Sequence, residues 1–205
     1  MSSVATAPAR NVAILIFDEV EVLDFCGPFE VFSITGKRDN ATPFNVYTVA
    51  ESSRPVLARN ALSVNPHYTI NDCPRPDILI VPGGFGTRAL LNHAPIIEWI
   101  AARAAEAELV LSVCTGSLLL AKAGLLEGLA ATTHWGALDL LRELAPHTTV
   151  RSDQQYVDNG RILTSAGISA GIDLSLYVVA KLFGAAQAAE TAHYMEYKHW
   201  KGPSA

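Results

Sequence analysis

Cys114 stands where an apolar run of strand length, Leu109 to Val113, gives way to Thr115-Gly116-Ser117, which opens a helical pattern closing near Gly124. That order predicts a tight strand-to-helix turn with the sulfur at the positive end of a helix, beside backbone N–H groups that have no intrahelical partner. Such surroundings favour a thiolate over a thiol and suit a nucleophile. The alternative is a small buried hydrophobe, since free cysteine is among the most buried residue types. Helix N-termini and cationic neighbours lower a cysteine pKa from about 8.5 to roughly 3.5–7.5, but a nucleophile also needs a group that manages protons.

Asp24 is the candidate for that group. A carboxyl held protonated can donate its hydrogen bond to the sulfur and trade the proton with a reacting molecule; the other reading is a solvated carboxylate or a helix N-cap in the turn before Gly27-Pro28. The amides of Gly84 and Thr115 are candidates for an anion-stabilising pair, because glycine lets backbone approach a ligand closely. Gly83-Gly84 also reads simply as a sharp strand exit. His134, in Thr132-Thr133-His134-Trp135, can complete a Cys-His pair or cap a helix beside the tryptophan. Gly84-Phe85-Gly86-Thr87-Arg88-Ala89 fits a G-x-G-x-x-A dinucleotide pattern. The acidic residue that should end the next strand is missing, because Glu106 and Glu108 fall before that strand, so a dinucleotide site is not expected. Asp173, in the first turn of the last predicted helix, favours the helix dipole without any need of chemistry.

The elements that must position these residues follow from periodicity. Asn11–Phe17 and Asp77–Val81 are continuous apolar runs, as in strands covered on both faces of a parallel sheet. Phe44–Val49 alternates as a strand, and pieces on either side of Asn60 suggest a small hairpin. A helix is expected after Gly27-Pro28, ending before Gly36, another over 96–107 behind Pro95, and others over 135–144 and 171–183. Asp158-Asn159-Gly160 between apolar runs is a strong hairpin signal. Alternating strands and helices predict a mostly parallel sheet between helices, in which ligands bind outside the carboxyl ends of the strands. Asp24, Gly83-Gly84 and Cys114 each follow a predicted strand, so they converge if those strands are neighbours.

Composition narrows the class. With 205 residues, half of them apolar, the chain is expected to form one domain over 11–205 behind a flexible tail, 1–10. The net charge of −5 and the lack of any basic cluster give no support to nucleic-acid or anionic-membrane binding. Three cysteines, Cys26, Cys73 and Cys114, without paired spacing or nearby histidine ligands, argue against a disulfide framework or a metal site and suit a reducing cytoplasm. No signal peptide or membrane span is read: the most apolar stretch, 109–126, carries Lys122 and is broken by Ser, Thr and Gly.

Together the first strand with Asp24, the Pro82-Gly83-Gly84 exit, the Val113-Cys114-Thr115-Gly116-Ser117 elbow and Ala131-Thr132-Thr133-His134-Trp135 resemble the DJ-1/PfpI superfamily over about 12–183. The last motif, with Leu163 to Asp173, looks most like its isocyanide hydratase branch. The resemblance implies a flavodoxin-like three-layer α/β sandwich with a mostly parallel central sheet, a homodimer, and no metal or organic cofactor. It implies Cys114 as nucleophile toward an isocyanide, Asp24 as general acid/base, Gly84 and Thr115 as amide donors, and Ile168 as a pocket wall, with Gly83 and His134 beside it. The product would be an N-substituted formamide formed through a cysteine thioimidate. Ala166 stands where that branch carries glycine.

Two rival readings use the same thiol. One is a glyoxalase-like enzyme of the DJ-1 type; a peptidase is disfavoured by weak support for His134 as a third member. The other is a non-catalytic redox or ligand sensor, because similar domains resemble the N-terminal halves of AraC-type regulators. Those continue into DNA-binding domains, whereas this chain stops at Ala205 with negative net charge, so stand-alone DNA regulation is not expected.

Overall fold

The structure is a computed structural model that describes residues 8–202. Most of the expected tail, 1–7, lies outside the described residues, and Arg10 opens the first strand. The strands are β1 (Arg10–Leu15), β2 (Phe44–Ala50), β3 (Val56–Leu57), β4 (Ser63–Val64), β5 (Tyr68–Thr69), β6 (Ile78–Val81), β7 (Leu109–Ser112), β8 (Ala130–Ala131), β9 (Thr149–Val150), β10 (Tyr156–Asp158) and β11 (Ile162–Ser165). The helices are α1 (Val22–Ile34), α2 (Thr87–Leu90), α3 (Ala94–Glu106), α4 (Gly116–Lys122), α5 (Leu138–Leu144), α6 (Ala170–Phe183) and α7 (Ala185–Tyr194).

A seven-stranded sheet in the order β10-β11-β7-β6-β1-β2-β5 forms the centre. All its pairings are parallel except β10 with β11, the hairpin signalled by Asn159-Gly160. Counting β1, β2, β6, β7 and β11 in chain order, the spatial order is 2-1-3-4-5, the doubly wound arrangement of a flavodoxin-like sandwich. The chain moves one way from β1 to β2 and the other way from β6 to β7 and β11. Right-handed crossovers therefore put helices on both faces. α1, α6 and α7 pack together on one, and α2, α3, α4 and α5 on the other.

The continuous apolar runs are buried as expected: Val12 to Leu15 and Ile78 to Val81 are fully inaccessible to solvent. The hairpin around Asn60 pairs Val56 with Val64. Three elements differ from the sequence expectation. α1 begins at Val22, ahead of Gly27-Pro28, so Asp24 lies in its first turn rather than in a preceding turn. Its buried stripe, Asp24, Phe25, Pro28, Val31 and Phe32, has helical spacing, but an acid and a proline sit within it and mask the apolar period. α7 was not foreseen because it buries only Ala188, Thr191 and Ala192. The helix expected over 135–144 divides into a 3-10 turn, Trp135–Ala137, and α5. Among the described residues, no helix is long and apolar enough to cross a membrane.

Candidate active site

β1, β6 and β7 are neighbours, so the chain segments leaving their carboxyl ends meet where the strand order reverses. Asp24, Gly83 and Cys114 come together there. The Oδ2 of Asp24 accepts the Gly83 N–H at 3.0 Å, and the Glu21 N–H donates to the Gly83 carbonyl at 2.9 Å, so the β6 exit is tied to the start of α1 through both of its backbone groups. Pro28, four residues after Asp24, has no N–H to bond the Asp24 carbonyl. The carboxyl is completely buried, and its second oxygen, Oδ1, has no hydrogen-bond partner.

That environment determines its charge. Burial pushes the Asp24 pKa up to about 7; the Gly83 N–H and the neighbouring Cys114 pull it down, and Glu21 pushes it further up. Desolvation wins because an isolated carboxylate loses more by leaving water than one backbone N–H restores.

The elbow at Cys114 is built from both neighbouring strands. Val113 N–H donates to Val81 O at 3.1 Å and Cys114 N–H to Ala166 O at 3.2 Å, so the turn is clamped between β6 and the segment after β11. Cys114 itself is left-handed, with φ of 56°, a conformation that costs a non-glycine residue of order 1–3 kcal/mol and clusters at functional sites. Its carbonyl accepts hydroxyls from Thr133 at 2.9 Å and Ser117 at 3.2 Å. Gly116 lets α4 start against β6: a Cβ there would stand 1.9 Å from Val81 O. At Gly83 a Cβ would stand 2.5 Å from Thr115 N and 3.0 Å from Asp24 Oδ2. Both positions are glycine because backbone passes there.

Cys114 is only 5% exposed. Burial and then the charge of Asp24 push the Cys114 pKa up to about 12, against the lowering by backbone N–H groups of Thr115 and Ile168 that face the sulfur. Burial thus opposes the thiolate expected from a helix N-terminus, and α4, only seven residues long, begins inside the core. Asp24 and Cys114 are close enough to shift one another's titration, yet no hydrogen bond of ordinary geometry joins them.

The amide donors differ from expectation at one position. Thr115 presents its N–H to the sulfur, but the Gly84 N–H is engaged within the protein, donating to Thr115 Oγ1 at 3.0 Å. Ile168, expected as a pocket wall, also supplies the second N–H, and it too is left-handed, with φ of 53°. His134 makes no hydrogen bond to Cys114. Its Nδ1 accepts the Gly136 N–H at 3.2 Å, capping the 3-10 turn, and its ring lies against Gly167, where a Cβ would stand 2.3 Å from Cδ2. Asp173 ties the start of α6 to Gln155 and to Tyr197. Thr133 holds the elbow carbonyl from 19 residues away and so carries no local signal of its partner, whereas Ser117 lies three residues on, within the elbow motif itself. Among the described residues no group of three or more His, Cys, Asp or Glu side chains is arranged to hold a metal ion.

The pattern of the DJ-1/PfpI family matches residues 10–181. An isonitrile hydratase of Pseudomonas putida is 36% identical over 189 residues, 92% of this chain and 79% of that protein. The HTH-type transcriptional regulator CdhR of Pseudomonas aeruginosa is 32% identical over 83% of this chain, which spans 50% of the regulator's length. Among solved structures, a ThiJ/PfpI family protein from Pseudomonas syringae superposes with a TM-score of 0.84 at 32% identity, covering 97% of this chain and 77% of that one.

Proposed function

The chain belongs to the DJ-1/PfpI family, and from that premise we propose that it is an isocyanide hydratase with Cys114 as nucleophile and Asp24 as general acid/base. The observation that carries the reading is the pairing of a left-handed, buried cysteine with a carboxyl whose free oxygen is buried and unpartnered. The isonitrile hydratase relative supports the substrate class.

In this reading the reactive pair holds one proton between two sites, and the reacting form keeps it on Asp24 while Thr115 and Ile168 N–H groups steady the sulfur's charge. The sulfur forms a bond to the terminal carbon of R–N≡C, and Asp24 gives its proton to that carbon, leaving a thioimidate, R–N=CH–S, and a carboxylate. Water adds to the same carbon. Asp24 takes a proton from the water and passes it to the nitrogen. The tetrahedral adduct then returns its hydroxyl proton to Asp24 as the C–S bond breaks, releasing R–NH–CHO and restoring the thiolate and the acid. No metal or organic cofactor enters any step. Residues 11–205 act as one unit in this reading, as a cytoplasmic homodimer.

The test is product identity. Purified protein incubated with phenyl isocyanide and, separately, with methylglyoxal is expected to form N-phenylformamide faster than it consumes methylglyoxal; the reverse order would replace the hydratase by a glyoxalase-like enzyme.

A sensor is the second reading, favoured by the 32% identity to the regulator CdhR. It expects no turnover of any electrophile, together with sulfinate at Cys114 after mild peroxide.

A further inference from the structure

Ile168 belongs to two places at once. Its N–H faces the Cys114 sulfur, while its residue lines a cleft of about 420 Å³ between the Thr132–Trp135 loop and the 166–169 loop. Thr133, whose hydroxyl holds the Cys114 carbonyl, lines the same cleft, as do Leu138 and Ser152. The reacting sulfur and the cleft therefore share a wall, and the cleft's size is that of a small-molecule site.

Its rim carries the most exposed large apolar side chain among the described residues: Trp135, at 81% exposure. The indole is not loose packing debris from the core. It leans on the His134 ring at 5.2 Å between centroids, and that ring is itself seated on Gly167 and fixed by the Gly136 N–H. Because Nδ1 accepts that bond, a neutral His134 carries its proton on Nε2. Trp135 thus offers a supported aromatic face on a cleft that Ile168, 36% exposed, also lines, and such a face suits stacking by another flat group.

We propose that this cleft seats the organic substituent of the substrate, with Trp135 as its stacking wall and Ile168 as its floor, so that the preferred substrates carry an aromatic ring on the isocyanide nitrogen. The inference rests on the hydratase reading for its reaction, but the cleft is a binding site whether or not that reaction occurs. An isocyanide is linear, so its substituent must leave the sulfur along one direction. Phe85, 66% exposed at the Gly84 exit and held between Arg59 and Arg88, marks the other apolar direction. Trp135 is favoured over it because Ile168, which lines the Trp135 cleft, also turns its backbone N–H to the sulfur.

The experiment compares kcat/KM for phenyl and methyl isocyanide in wild type, Trp135→Ala, Trp135→Phe and Phe85→Ala, and follows the Trp135 indole N–H by NMR as N-phenylformamide is titrated into Cys114→Ala protein. The phenyl-over-methyl preference is expected to fall about tenfold in Trp135→Ala, to recover largely in Trp135→Phe, and to stay at the wild-type ratio in Phe85→Ala, with a saturable shift of the Trp135 indole signal. A preference unmoved by Trp135→Ala, or moved by Phe85→Ala instead, overturns the proposal. So does a Trp135→Ala protein that changes oligomeric state while both substrates fall together, which would make the indole a contact between copies. If wild type turns over neither isocyanide, the hydratase reading fails on its own, and the indole titration still decides the cleft: an unmoved signal ends it.

Discussion

Asp24, in the first turn of α1, and Cys114, just ahead of α4, lie close enough to shift one another's titration, and each is held toward its protonated form: burial raises the carboxyl to about 7, and burial with the carboxylate's charge raises the thiol to about 12. An unpaired cysteine at pKa 12 would be inert at neutral pH. A pair that loses its first proton near 7 is not, because the remaining proton can reside on either member.

This predicts the pH dependence of the thiol. Below about pH 7 both groups are protonated, so kcat/KM and the alkylation of Cys114 by iodoacetamide, followed by peptide mass, rise with pH through that region. In Asp24→Asn the rise near 7 is lost, since the buried thiol must then ionise alone. An Asp24→Asn protein that keeps an alkylation step near pH 7 would dissociate the two residues.

The same burial bears on stability. Asp24 titrates near 3.8 when exposed and near 7 in the fold, so between those values the folded protein binds the extra proton. Stability from this group is fully present below pH 3.8 and is lost as pH rises through about 7, on the order of 4 kcal/mol at most. Asp24→Asn, which stays neutral, is expected to melt above wild type at pH 8, with the advantage shrinking toward pH 4–5. A difference in Tm that is the same at both ends would contradict the assignment.

Much of this candidate site is legible in the sequence, and the part that is not has a physical cause. The strand runs around Ile14, Ile80 and Leu111 are apolar on both faces, and the Cys114-Thr115-Gly116 junction announces a turn, so three strand ends with candidate residues are legible, while their convergence depends on β1, β6 and β7 lying next to one another in the sheet. What could not be read is the competition among forces at the elbow. A helix N-terminus points to a thiolate, but the turn is packed against Ala166 and Ile168, more than 50 residues away, and burial outweighs the N–H groups. The partner of the Gly84 amide is hidden for a similar reason, since its acceptor here, the Thr115 hydroxyl, is local only in space.

Gly116 tests the elbow's packing. An added Cβ would meet Val81 O at 1.9 Å, backbone that cannot retreat without opening the central sheet. Gly116→Ala is expected to cost about 3 kcal/mol or more in urea unfolding, at the upper end of overpacking effects. A cost under about 1 kcal/mol would mean that α4 is less tightly seated than its contacts indicate.

Thr133→Val removes one of two hydroxyls from the Cys114 carbonyl without changing the side-chain shape. Ser117 remains, so the carbonyl is not orphaned and the expected loss is about 1 kcal/mol. Because that carbonyl belongs to the strained residue, kcat should fall more than KM rises. Steady-state kinetics with unfolding on the same variant separates the two effects, and a stability loss with unaltered kcat would confine Thr133 to a structural part.

The central claim is that Cys114 forms the bond to the substrate carbon. Acid-quenched protein mixed with phenyl isocyanide and examined by intact mass should show the protein plus one substrate, mapped to Cys114, and Cys114→Ala should show neither that adduct nor N-phenylformamide above the uncatalysed rate. Saturable N-phenylformamide formation by Cys114→Ala would contradict the account.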